Sequence, residues 1–237
     1  MGAYYFGIPE DLALFFYKNH NAKYFVETGT YMGGTAYWAS NIFKNVVTIE
    51  IVEEIYNKTK EAYKNVANIR FMNGKSTIIL PEIITQLNQE LLDDERILFW
   101  LDAHYSGGVT GGENLQCPLI EEINLILKLN FNSIIMIDDA RFVLCANPDK
   151  NILSDMPSYD VILAALNSHG KRYTIIWRDV VVSVPIDIAE SVYRFFQPTV
   201  GIQGTMFLDE YIERSKLSIQ KIHYKINKKL RAIIKKV

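Results

Sequence analysis

Cysteine is almost missing from this sequence: the 237 residues hold two, Cys117 and Cys145, which cannot make a disulfide framework. Glycine and proline are sparse too, at 13 and 7 residues, which excludes collagen-like and low-complexity chains. No apolar run approaches the roughly 18 residues that a membrane span needs. No charged segment followed by an apolar core opens the chain, so no secretory signal is expected. What is present is an ordinary globular composition, 49% hydrophobic and 22% charged. The length fits one domain with an appendage, and a cytoplasmic protein with reduced, inert thiols is expected.

The formal net charge of −2 hides an asymmetry. Residues 221–237, KIHYKINKKLRAIIKKV, carry seven Lys/Arg and no acid, which leaves 18 bases against 27 acids elsewhere. The body is therefore about −9 and the tail about +7. So acidic a body lacks the basic face that offsets backbone phosphates, and nucleic acid is not expected as a partner. In the tail, Ile222, Ile226, Leu230, Ile233 and Val237 recur at helical spacing among lysines. Such a helix packs on its own domain or on a dimer mate with its lysines solvated, the favoured reading, or lies on an anionic membrane or partner surface. The second case would place the protein at the inner face of the membrane.

Through residue 185, short β-rich apolar runs alternate with longer amphipathic stretches, the pattern of a parallel sheet with crossover helices. After a helix near PEDLALFFYKNH, the spacing predicts strands over Tyr24–Glu27, Val46–Glu50, Ile69–Met72, Ile97–Asp102, Ser133–Asp138, Tyr173–Trp177 and Val180–Val184. Helices are predicted between the first five, over Gly34–Phe43, Val52–Lys64, Ser76–Leu92 and Pro118–Leu129. Only Arg178 and Asp179 separate the last two strands, so these should pair as an antiparallel hairpin. The expected fold is α/β: a Rossmann-like, doubly wound, mostly parallel sheet over 1–185. A helical appendage, Ile186–Phe196 and Phe207–Val237, is expected over 186–237.

In a doubly wound sheet ligands sit beyond the carboxyl ends of the strands. The first strand runs into Glu27-Thr-Gly29-Thr30-Tyr31-Met-Gly33-Gly34-Thr35, a turn that opens a helix and lets backbone approach a ligand. Twenty-three residues after Glu27, the second strand ends in Glu50-Ile51, where an acid can accept hydrogen bonds from a ribose diol. The dinucleotide pattern G-x-G-x-x-G fails at Tyr31, and Gly74-Lys75-Ser76 lacks the earlier P-loop glycine, which is Ile69 here. A tight turn with no ligand is the alternative to a nucleoside-containing cofactor.

These residues resemble the class I S-adenosylmethionine-dependent methyltransferases. The resemblance covers roughly residues 20–185 and implies that Glu27 and the glycine turn hold the methionine part of S-adenosylmethionine and Glu50 its ribose. Where the family often has an Asp for adenine after the third strand, this chain offers Lys75 or Ser76. The fourth strand ends in Asp102-Ala-His104-Tyr105 and the fifth in Asp138-Asp139-Ala-Arg141. That set resembles the metal-dependent O-methyltransferases of catechol and macrolide-sugar type, which implies that Asp102, Asp138 and Asp139 hold Mg²⁺ or Mn²⁺ and the acceptor hydroxyl. With Tyr105 where the catechol enzymes have lysine, His104 is the expected base. Segment 106–114 is rich in glycine and is expected to act as a lid. With Cys117-Pro118-Leu119 it also resembles bacterial methyltransferase-like proteins of DAHYSGG type.

Plainer roles stand beside these. The three aspartates can be helix caps, His104 a structural residue or a cofactor contact, and Arg141 a partner of Asp138 or Asp139 rather than of an anionic substrate group. The expected activity is O-methyl transfer to a small hydroxylated acceptor, a sugar or nucleotide-sugar of surface-polysaccharide or natural-product biosynthesis. The rival is a non-catalytic scaffold of the same fold whose basic tail docks a membrane-associated glycan-assembly complex.

Overall fold

A computed structural model of the chain describes residues 7–103, 117–144 and 156–197. Seven strands among them form one sheet: β1 (Ala22–Thr28), β2 (Asn45–Glu50), β3 (Ile69–Asn73), β4 (Arg96–Leu101), β5 (Ile134–Ile137), β6 (Arg172–Trp177) and β7 (Val180–Pro185). Their order is β3-β2-β1-β4-β5-β7-β6. The five strands β1 to β5 pair in parallel, whereas β7 runs antiparallel to both β5 and β6. The sheet is thus the expected Rossmann-like, mostly parallel one with an antiparallel finish. From β1 the chain winds outward through β2 to β3, then crosses back to β4 on the other side of β1. That reversal leaves a crevice at the carboxyl ends of β1 and β4.

Buried on both faces, the central strands read as unbroken apolar runs such as Ile97-Leu-Phe-Trp-Leu101. One face carries Val26, Ile49, Phe99, Ile135 and Val181 against three helices, α4 (Ser76–Glu90), α5 (Leu119–Leu129) and α7 (Tyr159–Leu166). Ile126 of α5 is fully buried there, and truncation to alanine would cost about 2–5 kcal/mol. On the other face are α1 (Glu10–Asn19), α2 (Gly34–Ser40) and α3 (Glu53–Ala62). Phe25 of β1 meets Phe43 there with ring centroids 5.2 Å apart.

Strand positions match the sequence reading to within two residues, because strands buried on both faces stand out as short apolar runs bounded by polar residues. Helix ends match less well. The helix expected over Gly34–Phe43 stops at Ser40, and Phe43 turns inward as a buried residue leading into β2. Two helices between β5 and β6 were not expected: α6 (Ala140–Leu144) and α7. The signal for α7 is local: Ser158 precedes it, and Ile162, Ala165 and Leu166 form its buried stripe. After β7 comes a 3₁₀ turn, Ile186–Ile188, and then helical residues 189–197.

By its internal contacts the chain divides into two compact units, Met1–Ala189 and Glu190–Val237. The second is described only over 190–197. No helix among the described residues is long and apolar enough to cross a membrane. His104, Tyr105, segment 106–114, Cys145 and the basic tail 221–237 lie outside the described residues.

Candidate active site

Parallel register sets Glu27 of β1 beside Thr48 of β2 on one flank and Trp100 of β4 on the other. Glu27 is buried, with 2% of the residue exposed. Its Oε2 accepts a hydrogen bond from the Thr48 hydroxyl at 2.6 Å, and the Thr48 and Thr30 hydroxyls are themselves 2.6 Å apart. Burial pushes the Glu27 carboxyl up to about 8, although the Thr48 and Thr35 hydroxyls pull it down; the negative charges of Asp102 and Glu50 add to the rise. At neutral pH this carboxyl therefore holds its proton most of the time.

Gly29 follows with φ +92°, and a Cβ on it would stand 2.5 Å from the Asp102 carbonyl oxygen. The turn is pinned there because the Asp102 N–H donates to the Thr28 carbonyl at 3.0 Å. Gly33, at φ +73°, is the residue before α2, and a Cβ there would meet Thr59 Cγ2 of α3 at 2.5 Å. Gly34 has nothing within 4 Å of where its Cβ would be. Two of the three glycines expected to face a ligand are thus required by the protein's own packing, and only Gly34 flanks open space.

Tyr31 sits between them in the left-handed region, φ +46°, which costs a non-glycine residue about 1–3 kcal/mol. Both of its peptide groups are tied down. Its N–H donates to Glu50 Oε2 at 3.0 Å, and its carbonyl accepts from the Thr59 hydroxyl at 2.9 Å. Glu50, also buried, accepts from the Val52 N–H through Oε1 at 2.9 Å. An ionised carboxylate offers about four lone-pair sites, so two remain for a diol. The Glu50 carbonyl accepts from Gly74 N and Asn73 Nδ2, each at 2.9 Å, which ties the ends of β2 and β3 together. Ile51, Lys75 and Ser76 stand at this rim; Ile51 and Lys75 are exposed, and Ser76 is buried as the first residue of α4. Glu27, Thr30, Tyr31, Thr35, Glu50 and Asp102 accordingly gather around one turn at the switch point.

The end of β5 is built differently. Asp138 is 9% exposed, and one of its oxygens accepts from the Asp139 N–H at 2.7 Å. Asp139 is left-handed, φ +58°, and its Oδ1 lies 2.5 Å from Arg141 Nη2. The Arg141 guanidinium also pairs with Asp179, which in addition accepts from the Arg141 N–H at 2.8 Å and, through its carbonyl, from the Ala140 N–H at 2.8 Å. Asp179 and Arg178 form the two-residue tip between β6 and β7, both with positive φ, as a hairpin turn matched to strand twist requires. Asp179 was not singled out from the sequence. Its place in the hairpin was legible there, but its contact with α6 depends on β7 lying beside β5.

The metal expectation gains no support from the described residues. Among the described residues no three His, Cys, Asp or Glu side chains come together in a way that could hold an ion. Asp102, Asp138 and Asp139 therefore do not make a ligand set here, and Asp139 is held by a guanidinium instead. Arg141, expected to contact either a substrate anion or an aspartate, is paired with Asp139 and Asp179.

No protein-family model matches the chain, and no curated protein matches it in sequence. Among solved structures, the O-methyltransferase TomG from Streptomyces achromogenes, involved in tomaymycin synthesis and in complex with S-adenosylmethionine, is 13% identical with a TM-score of 0.41, covering 70% of this chain and 74% of its own. An O-methyltransferase from Bacillus cereus in complex with S-adenosylhomocysteine is 14% identical with a TM-score of 0.43, covering 75% and 82%. A methyltransferase dependent on S-adenosylmethionine from Aquifex aeolicus is 10% identical with a TM-score of 0.45, covering 74% and 87%. At these values none of the three bears on function, and the fold rests on the strand order itself.

Proposed function

We propose that the protein is an S-adenosylmethionine-dependent O-methyltransferase whose acceptor is a small hydroxylated molecule, a sugar or nucleotide-sugar of surface-polysaccharide or natural-product biosynthesis. One observation carries this: a buried acid, a glycine turn and a second buried acid converge at the switch point between β1 and β4. The residues present fit the cofactor. Glu27 has acids and hydroxyls around it, which suits a ligand bearing an ammonium and a sulfonium cation. The unused lone pairs of Glu50 suit a ribose diol, and Gly34 flanks open space.

When bound, the cofactor supplies an electrophilic methyl group. Glu27 binds the ammonium end, Glu50 the ribose, and Ile51, Lys75 and Ser76 the adenine end. Asp102 orients the acceptor hydroxyl, and removal of its proton is assigned to His104, outside the described residues. Rate enhancement then comes chiefly from holding the two reactants in line, since the transfer needs no covalent step on the protein. Divalent-metal assistance has no ligand set among the described residues to act through, so no residue is assigned to it.

Calorimetric titration with S-adenosylmethionine and S-adenosylhomocysteine, each with and without Mg²⁺, tests the proposal. Saturable binding of both is expected; no binding under any condition would overturn it. For the basic tail, residues 221–237, we propose a docking surface on the protein's own fold, a dimer mate or an anionic membrane, with a cytoplasmic location. Deleting the tail and measuring sedimentation with anionic vesicles separates the membrane from the other two.

A further inference from the structure

We infer that the site exchanges a proton for the ligand's ammonium group at Glu27, so that cofactor binding releases a proton to solvent. The inference deepens the proposed function and rests on it. Among the described residues, Glu27 is enclosed by groups that offer it no positive charge. From β2 come the Thr48 hydroxyl and the Glu50 carboxylate, from α2 the Thr35 hydroxyl, and from the end of β4 the Asp102 carboxylate. No lysine, arginine or histidine among the described residues pairs with it. A carboxylate kept from water beside two other acids has two ways to be stabilised, a bound proton or a bound cation.

In the empty protein the proton fills that role, in keeping with the raised titration of this carboxyl. When an ammonium enters, the O–H bond of the Glu27 carboxyl breaks, the proton leaves to solvent, and the carboxylate forms a charge-assisted hydrogen bond with the ammonium N–H. The Thr48 hydroxyl, shared with Thr30, donates to the same oxygen throughout. By linkage, affinity for the ammonium-bearing ligand rises with pH until the empty site no longer holds its proton. No such coupling acts on a ligand without the ammonium.

Wild-type protein is titrated near pH 7 with S-adenosylhomocysteine and with 5′-methylthioadenosine, which lacks the amino-acid part, in two buffers of different ionisation enthalpy. About one proton is expected to leave per S-adenosylhomocysteine bound and none per methylthioadenosine. Affinity for S-adenosylhomocysteine should climb by nearly tenfold per pH unit from about pH 6 and flatten near pH 8. Glu27→Gln should release no proton. Thr48→Val, which removes a donor to the carboxylate, should move the flattening to higher pH. Should S-adenosylhomocysteine bind without proton release, or both ligands release equally, the exchange is overturned while the proposed function stands. If neither ligand binds, the proposed function falls, and the exchange with it.

Discussion

Two regions of the same sheet edge, both built around carboxyl side chains, have opposite electrostatics. Around β1 and β2, Glu27 and Glu50 are buried among hydroxyls and backbone N–H groups, with no cation among the described residues beside Glu27. Around β5 and the β6–β7 tip, Asp139 and Asp179 close on Arg141, so that much of their charge is already answered. An acid at the end of a strand is therefore not evidence of a ligand by itself. What separates the two is whether a guanidinium is brought up, and the first region, where the described residues supply none, is the half of the mouth suited to a positively charged ligand.

The largest effect expected from this difference concerns pH. Glu27 titrates near 8 in the folded protein, above its ordinary value. Its contribution to stability is therefore complete below the ordinary glutamate range and is lost as pH rises through about 8. The unfolding free energy of the wild-type protein, measured against Glu27→Gln, should fall between about pH 5 and pH 8 by up to about 1.4 kcal/mol per unit. A flat difference would remove Glu27 from the comparison.

Next in size is Gly29→Ala, which forces a Cβ to within 2.5 Å of the Asp102 carbonyl at a positive φ. A loss of about 3 kcal/mol or more in chemical denaturation is expected. Gly34→Ala, facing open space at the start of α2, should change stability by less than about 1 kcal/mol. Equal costs at the two positions would show that the turn is not pressed against β4.

Asp179→Ala should cost about 1–3 kcal/mol, since it strips the Arg141 N–H and guanidinium of a partner. It should leave affinity for S-adenosylhomocysteine within about twofold. Glu50→Gln should do the reverse, lowering that affinity by about tenfold, or about 1.4 kcal/mol, with a smaller change in stability. If Asp179→Ala weakens binding as much as Glu50→Gln does, the two regions form one site and the contrast between them is lost.

Much of the β1–β2 side of the candidate site was legible in the chain. Glu27, the glycine turn and Glu50 sit at strand ends, and strand ends follow from where the buried apolar runs stop. The β5 side was legible only in composition. Asp138, Asp139 and Arg141 were visible as a charged cluster, yet their partner Asp179 lies 38 residues beyond Arg141 and reaches it by an antiparallel pairing that skips β6 in the sheet order. The roles of individual glycines were hidden for a similar reason. Gly29 and Gly33 look alike in sequence to Gly34, but the first is pressed by β4 and the second by α3.

By itself, the sequence determined the alternation of strands and helices, the closing hairpin and which acids stand at the carboxyl edge, because each follows from local periodicity and turn chemistry. Only the tertiary structure decided which of those acids are neutralised and which are left to a proton or a ligand. Charge balance at a buried group depends on what is brought within a few ångströms of it, and that is set by strand order across the sheet rather than by distance along the chain.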